Sequence, residues 1–483
     1  MGAKQIMISP VSRIEGHLQI AVQLDDSGNV SDTKVQTVNL RGFEEFCKGR
    51  PVEELPRITT SICGVCPSSH HLASSKAVDG CFDVKPTTTG YKLRELMEHA
   101  HYVEEHILHF YFLAGADFVM GPGAAVKDRN IFGIIKKLPE PAKLVVKARH
   151  QAGLLAEIVG GRSIHPIAGV PGGWSKPLRS EQKEKCEKYS ETMLELAKFS
   201  IKYAKDNIFP NYQDAIKTIG AIKTGFLGTV QKDGTLDLYD GHARMMDASG
   251  NFREFEYKDY GDHIHEAVMP WSYTKFPYDA KAGKLVMDYK NPVGVYRTNT
   301  LARINVAERF RTPLAQAEFL EFRKNFGRPA QLSMLYHWAR LIELLYAAEY
   351  VQVLLKDKDI TGTGTRTKVE TTRAGRGVGC VEAPRGTLIH DYTTDAKGLV
   401  TDVNLIVGTT HNLAAINMSV RQTADAVIKN GKYDQGTLNM LEMAIRAYDP
   451  CISCATHNLD GSIAATLSIY DSNGKRKKTF KNF

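Results

Sequence analysis

The sequence predicts a mainly α-helical protein with small β elements, an α+β fold built around a large helical core. Three observations carry this. Apolar residues recur at helical spacing in three long stretches. Alternating apolar and polar runs are short and sit near the ends and in the middle. No internal repeat or low-complexity segment suggests a solenoid or a linker.

The elements follow in order. The runs His17 to Gln23 and Val30 to Leu40 alternate, and Asp25-Asp26-Ser27-Gly28-Asn29 between them reads as the turn of a hairpin. From Gly90 the period changes. Leu93, Leu96, Met97, Ala100, Val103, Ile107, Phe110 and Ala114 mark a long helix that stops before Gly121-Pro122-Gly123. A second helix is expected from about Glu181 to Lys205, with Met193, Leu196 and Phe199 on its buried face. Residues 225–290 hold short β-like runs with turns at Asp233-Gly234 and Ser249-Gly250. A third helix, from about Ser333 to Leu355, is apolar over most of its circumference and is expected at the centre. The stretch 361–379 is read as too polar and glycine-rich for the core, 387–407 as a hairpin across Asp395 to Gly398, and Thr437 to Tyr448 as a helix.

The chain has 483 residues, 43% of them hydrophobic, and carries a net charge of +8. It is long enough to bury a large core. No stretch approaches the roughly 20 apolar residues of a membrane span. The start, Met1 to Pro10, lacks the apolar core of a secretory signal, so a cytoplasmic location is expected. Eight cysteines are too few for a disulfide scaffold, and Cys47, Cys81, Cys186 and Cys380 are expected as buried free thiols. No interleaved aromatic and basic stripe points to nucleic acid.

The chemistry concentrates in two Cys-x-x-Cys pairs near opposite ends. Cys63 and Cys66 are followed by His70, and Cys451 and Cys454 by His457. Four thiolates brought together by the fold make a soft metal site, with each sulfur about 2.3 Å from the ion if it is zinc. A zinc or rubredoxin-like iron site is the alternative, but such knuckles usually place glycine after the second cysteine, and here Pro67 and Ala455 follow. Glu15, in Arg13-Ile14-Glu15-Gly16-His17, could carry protons or simply pair with Arg13. Arg41-Gly42-Phe43-Glu44 poses the same choice. Arg385, in Glu382-Ala383-Pro384-Arg385-Gly386, could donate to anionic ligands on a metal or pair with Glu382.

These motifs, with Gly160-Gly161-Arg162 and His165-Pro166, occur in an order that resembles the large, catalytic subunit of nickel–iron hydrogenases. The resemblance runs from Arg13 to His457 and rests most on the two cysteine pairs. It implies a large helical hydrogenase fold that splits dihydrogen reversibly into protons and electrons. Residues 1–457 would form one catalytic unit, with an N-terminal hairpin, helical core, β insertion at about 225–290 and C-terminal metal-binding segment. Residues 458–483 would be an extension that is either removed by a maturation protease or never cut.

The resemblance also implies a ligand set. Nickel would be held by all four cysteines, with Cys66 and Cys454 bridging to an iron that carries carbon monoxide and two cyanides. Cys63 and Cys451 would be terminal. Arg385 and Thr409 would hold the cyanides, and Glu44, the Leu405 carbonyl and His457 a magnesium or second iron. Cys451 would take the proton, with Arg385 as the alternative first base, and Glu15 would relay it. His70, Glu105 and Asp449 would surround the site. Ser61, Glu105, Gly408 and His411 depart from the residues usual in that family. No cysteines remain for an iron–sulfur relay, so an iron–sulfur small subunit is implied. Beyond it would lie a heterodisulfide reductase, flavin, deazaflavin or nicotinamide acceptor, the heterodisulfide-linked form looking nearest. A hydrogen sensor, or a structural subunit of an electron-transfer complex, is the non-catalytic alternative.

Overall fold

A computed structural model describes residues 5–125 and 127–455, and the backbone of two tail strands, Thr466–Tyr470 and Arg476–Lys481. The predicted N-terminal hairpin forms as Leu18–Leu24 against Val30–Thr37, and Gln5–Ile8 adds a third antiparallel strand. Its turn forms because the Asp25 carboxylate accepts the backbone N–H groups of Ser27 and Asn29, each at 2.9 Å.

Four of the long helices pack together in the core. Thr88–Ile107 starts where the Thr87 hydroxyl accepts the Gly90 N–H at 3.1 Å, and runs on through a π-helical stretch, Leu108–Ala114. It packs on Pro139–Gly160 and on Tyr336–Lys356, and Ser180–Tyr203 lies against both of those. Tyr336–Lys356 is buried on nearly all sides, as its apolar circumference predicts. Around these helices the buried apolar side chains form a cluster that reaches from Ile6 to Cys454. The β runs at 225–290 form three strands, Gly225–Val230, His242–Met246 and Phe252–Phe255, of a sheet whose fourth, edge strand is Tyr296–Arg297, and a separate hairpin of Ile264–Val268 and Lys275–Asp279. No helix among the described residues is long and apolar enough to cross a membrane.

One expectation is corrected. Part of the stretch read as too glycine-rich for the core is a strand, Gly375–Ala383, paired with Gly386–Thr394 and then Val400–Ile406. Its glycines are there to let it lie directly on helix Pro67–Phe82. A Cβ on Gly377 would fall 1.9 Å from the Ala77 carbonyl oxygen, and one on Gly379 1.9 Å from that of Ala73. The absence of side chains reflects close backbone contact in the core rather than a loop. Gly379→Ala is therefore expected to cost about 1–3 kcal/mol or more by overpacking, read as a lower midpoint in chemical denaturation.

Pro67–Phe82 itself carries no clear signal in the sequence. It is buried on almost every side, with serine, histidine and alanine making up half of its residues, so it shows no apolar stripe.

Candidate metal centre

The two cysteine pairs meet. Cys63 follows a 3-10 turn, Thr59–Ile62, in extended backbone, and Cys66 caps the helix that opens at Pro67. Proline suits that first helical position because its missing N–H would have no partner there, which explains why it stands where a zinc knuckle has glycine. Arg41 holds the approach by donating to the carbonyls of Ile62 and Ser61, the latter at 2.9 Å. The second pair lies on and before a short helical turn, Ile452–Ala455, delivered by Gln435–Arg446. All four sulfurs lie within 4.8 Å of one another and are buried. Sγ separations are 3.1 Å for Cys63–Cys451, 3.2 Å for Cys66–Cys454, 3.9 Å for Cys66–Cys451 and 2.8 Å for Cys451–Cys454. Ligands about 2.3 Å from one ion span at most about 4.6 Å, and the four separations just given, 2.8–3.9 Å, lie within that, so the donor set suits a single soft metal.

The electrostatics lead the same way. Hydrogen bonding from Cys451, then from Cys454 and Cys66, pulls the Cys63 thiol well below its ordinary pKa. Burial pushes Cys451 and Cys454 well above theirs. Four thiolates this close repel one another strongly unless a cation lies among them. Backbone N–H groups of Val65 and Cys66 point at the Cys63 sulfur, at 3.2 and 3.4 Å.

The surrounding residues come from distant parts of the chain. Glu15 is laid along the second pair. Its carbonyl accepts the Ile452 N–H and its carboxylate the Ser453 N–H, both at 3.0 Å. Gly16 makes this possible, since at φ +79° a Cβ would sit 2.8 Å from Cβ of Ile452. Arg13 does not pair with Glu15. It turns to Asp117 and to the Leu113 carbonyl. The Thr409 hydroxyl accepts the Cys451 N–H at 2.8 Å, leaving its own hydrogen to donate. Nε2 of His70 lies 3.4 Å from the Cys454 sulfur, and its Nδ1 3.1 Å from Nε2 of His390.

Arg385 is 2% exposed and reaches two carboxylates, Glu105 at 2.5 Å and Asp449 at 3.2 Å. Burial opposes its charge, but Asp449 and Glu105 outweigh that and hold its pKa well above the usual guanidinium value. Burial likewise pushes the Glu105 carboxyl up to about 8 against the pull of Arg385. Glu382, the other partner considered for Arg385, is taken by Arg303 at 2.8 Å. Glu44 lies away from this group. Its carboxylate accepts the Leu405 N–H at 2.9 Å, which brings two of the three residues of the expected second metal position together. The third, His457, lies outside the described residues.

Three buried ionic residues are not anticipated by the sequence motifs. Arg303 makes two contacts to Glu343, at 2.7 and 2.8 Å, and Arg340 lies one turn before Glu343 on the same helix. A charge of each sign three residues apart in an otherwise apolar helix is the available signal.

The fold and this four-cysteine site define the large subunit of a nickel-dependent hydrogenase, and the chain belongs to that family. The family profile described as nickel-dependent hydrogenase matches residues 41–130 and 326–457, and one described as HoxL-like matches 5–40. The chain is 46% identical to its counterpart in the F420-non-reducing hydrogenase of Methanothermobacter thermautotrophicus, over 97% of this chain and 98% of that one. It is 36% identical to the NAD-reducing hydrogenase HoxS subunit beta of Cupriavidus necator, over 98% of each. In structure it is similar to an NAD+-reducing NiFe hydrogenase in the H2-reduced state, with TM-score 0.89 and 37% identity over 94% of this chain and 100% of that one. The chain is thus an oxidoreductase subunit that acts on hydrogen, and its buried cysteine group suits nickel.

Proposed function

We propose that Cys63, Cys66, Cys451 and Cys454 hold nickel, that Cys66 and Cys454 also bind an iron carrying carbon monoxide and two cyanides, and that Cys63 and Cys451 are terminal. The convergence of four buried sulfurs from the two ends of the chain is the observation that carries this reading. The bound metals would supply a Lewis-acidic place to polarise dihydrogen and a way out for its electrons. The protein's share is proton handling and containment. Cys451 is the first base, and Glu15, already seated against residues 452 and 453, takes the proton outward. Arg385 is held between Glu105 and Asp449, where it would donate to one cyanide, and the Thr409 hydroxyl, which accepts the Cys451 N–H, would donate to the other. His70 steadies the Cys454 sulfur. Glu44, the Leu405 carbonyl and His457 hold a magnesium or iron.

The electrons go to an iron–sulfur small subunit, since the other four cysteines are dispersed and buried and the only metal-capable group among the described residues is the one above. Beyond it we place a heterodisulfide-reductase-linked, flavin or nicotinamide acceptor, the first looking nearest by the motif resemblance, and the relative named F420-non-reducing speaks against a deazaflavin one. The complex works in the cytoplasm. Residues 1–457 act as one catalytic unit, and a maturation protease removes 458–483. The test is the infrared spectrum of the purified complex, with nickel and iron assays and the mass of this chain. Carbonyl and cyanide stretches, nickel, and a chain ending at His457 are expected. Zinc in place of nickel with no such stretches overturns the metal assignment.

A further inference from the structure

Arg303 is fully buried on the short helix Thr300–Val306, and every N–H of its guanidinium has a partner. Nε and Nη2 take the two oxygens of Glu343, at 2.7 and 2.8 Å. Nη1 donates to Glu382 at 2.8 Å and to the Ala383 carbonyl at 2.9 Å. The second hydrogen on Nη2 goes to the Pro384 carbonyl at 3.0 Å. Beside it, the Tyr102 hydroxyl donates to the Glu382 carbonyl at 2.7 Å. Three consecutive carbonyls, those of residues 382, 383 and 384, are thus held by side chains from distant segments.

These carbonyls lead straight to Arg385. The strands Gly375–Ala383 and Gly386–Thr394 pair as far as Ala383 and Gly386, so Pro384 and Arg385 form the tip of that hairpin. A tip in solvent gives its carbonyls to water and is mobile. This tip is buried, and Arg303 takes the place of the water. The same guanidinium reaches the other side of the Arg385 contact. Glu343 also accepts from Nε2 of His106 at 3.1 Å, and His106 follows Glu105, which Arg385 meets. Tyr102 stands on that helix too, one turn earlier. Charge balance alone does not explain the arrangement. Replacing a buried ion pair by apolar residues is often neutral for stability, and here part of the guanidinium is directed at uncharged carbonyls instead.

We propose that Arg303 is a positioning residue for the reaction. Through the Ala383 and Pro384 carbonyls and through Glu343, it fixes where the Arg385 guanidinium stands between Glu105 and Asp449, and so how it meets the cyanide. The inference rests on the hydrogenase reading above. Only the planar fork of an arginine serves both carboxylates and both carbonyls at once; a lysine is a point charge on one nitrogen. Misplacement matters, because a shift of about 1 Å in a positioned group can cost about a hundredfold in rate.

The test compares Arg303→Lys with the parent in the assembled complex. The parent's infrared bands are recorded first, so failure of the metal assignment shows in the parent and failure of the positioning role only in the variants. In Arg303→Lys one cyanide stretch is expected to move while the other stays, and hydrogen oxidation to fall about tenfold to a hundredfold. A role confined to stability would lower the amount of loaded protein and leave the bands where they are. Tyr102→Phe is the milder variant. It removes only the donor to the Glu382 carbonyl and keeps the ring that lies 5.4 Å from the Arg303 guanidinium. The same stretch is expected to move in the same direction by less. Bands at the parent positions in loaded Arg303→Lys overturn the proposal. Where that variant does not load metal, parent bands in Tyr102→Phe overturn it.

Discussion

Cys454→Ser is expected to leave the complex folded but without nickel, and to abolish hydrogen oxidation. The Cys454 sulfur lies 2.8 Å from that of Cys451, 3.2 Å from that of Cys66 and 3.4 Å from Nε2 of His70. A serine fills nearly the same volume, so the packing around Ile452 and Ala455 survives. Its hydroxyl is a hard donor that does not ionise near neutral pH, whereas a thiol does so readily beside a metal. Four-ligand metal binding in small domains is worth about 10–16 kcal/mol, so losing one ligand of four costs several kcal/mol. At 1.4 kcal/mol per decade that is about a hundredfold or more in affinity. Nickel per complex and infrared bands are the readouts, with circular dichroism as the control for folding. A variant that keeps stoichiometric nickel and its bands would remove Cys454 from the ligand set.

Glu15→Gln separates proton traffic from metal binding. The amide keeps an oxygen for the Ser453 N–H, and the backbone carbonyl still accepts from Ile452, so the segment that carries Cys451 and Cys454 stays in place. What is lost is a carboxylate that can take up and release a proton. General acid–base groups contribute about 10²–10⁴ in rate, and turnover is expected to fall within that range. Nickel content and infrared bands should match the parent. Para–ortho conversion of hydrogen, which needs no exchange with solvent, should survive. Unchanged turnover would take Glu15 out of the relay, and missing metal would make its role structural.

Much of the centre is legible in the chain, because metal chemistry restricts residue type and spacing more tightly than packing does. Two Cys-x-x-Cys pairs can be recognised wherever they fold, and Pro67 after the first of them has a local reason, the start of a helix. The long helices at 88–107, 180–203 and 336–356 are legible from their apolar spacing or composition. Other features depend on what lies opposite. Helix Pro67–Phe82 and strand Gly375–Ala383 carry weak signals separately, and each makes sense only against the other, where Gly377 and Gly379 meet the backbone of the helix. The partners of Arg13 and Arg385 are hidden for the same reason. A carboxylate nearby in sequence, Glu15 or Glu382, is the simplest candidate, yet Asp117, Glu105 and Asp449 take those places through the fold.

Residue type and local period are enough to specify the family, the four sulfur donors and the helical character of the core. Three further features exist only in the folded chain. The two cysteine pairs close on one point, Glu15 lies along the second pair, and Arg385 sits between Glu105 and Asp449. Those are relations between distant segments, set by which surfaces pack together, and no local pattern encodes them.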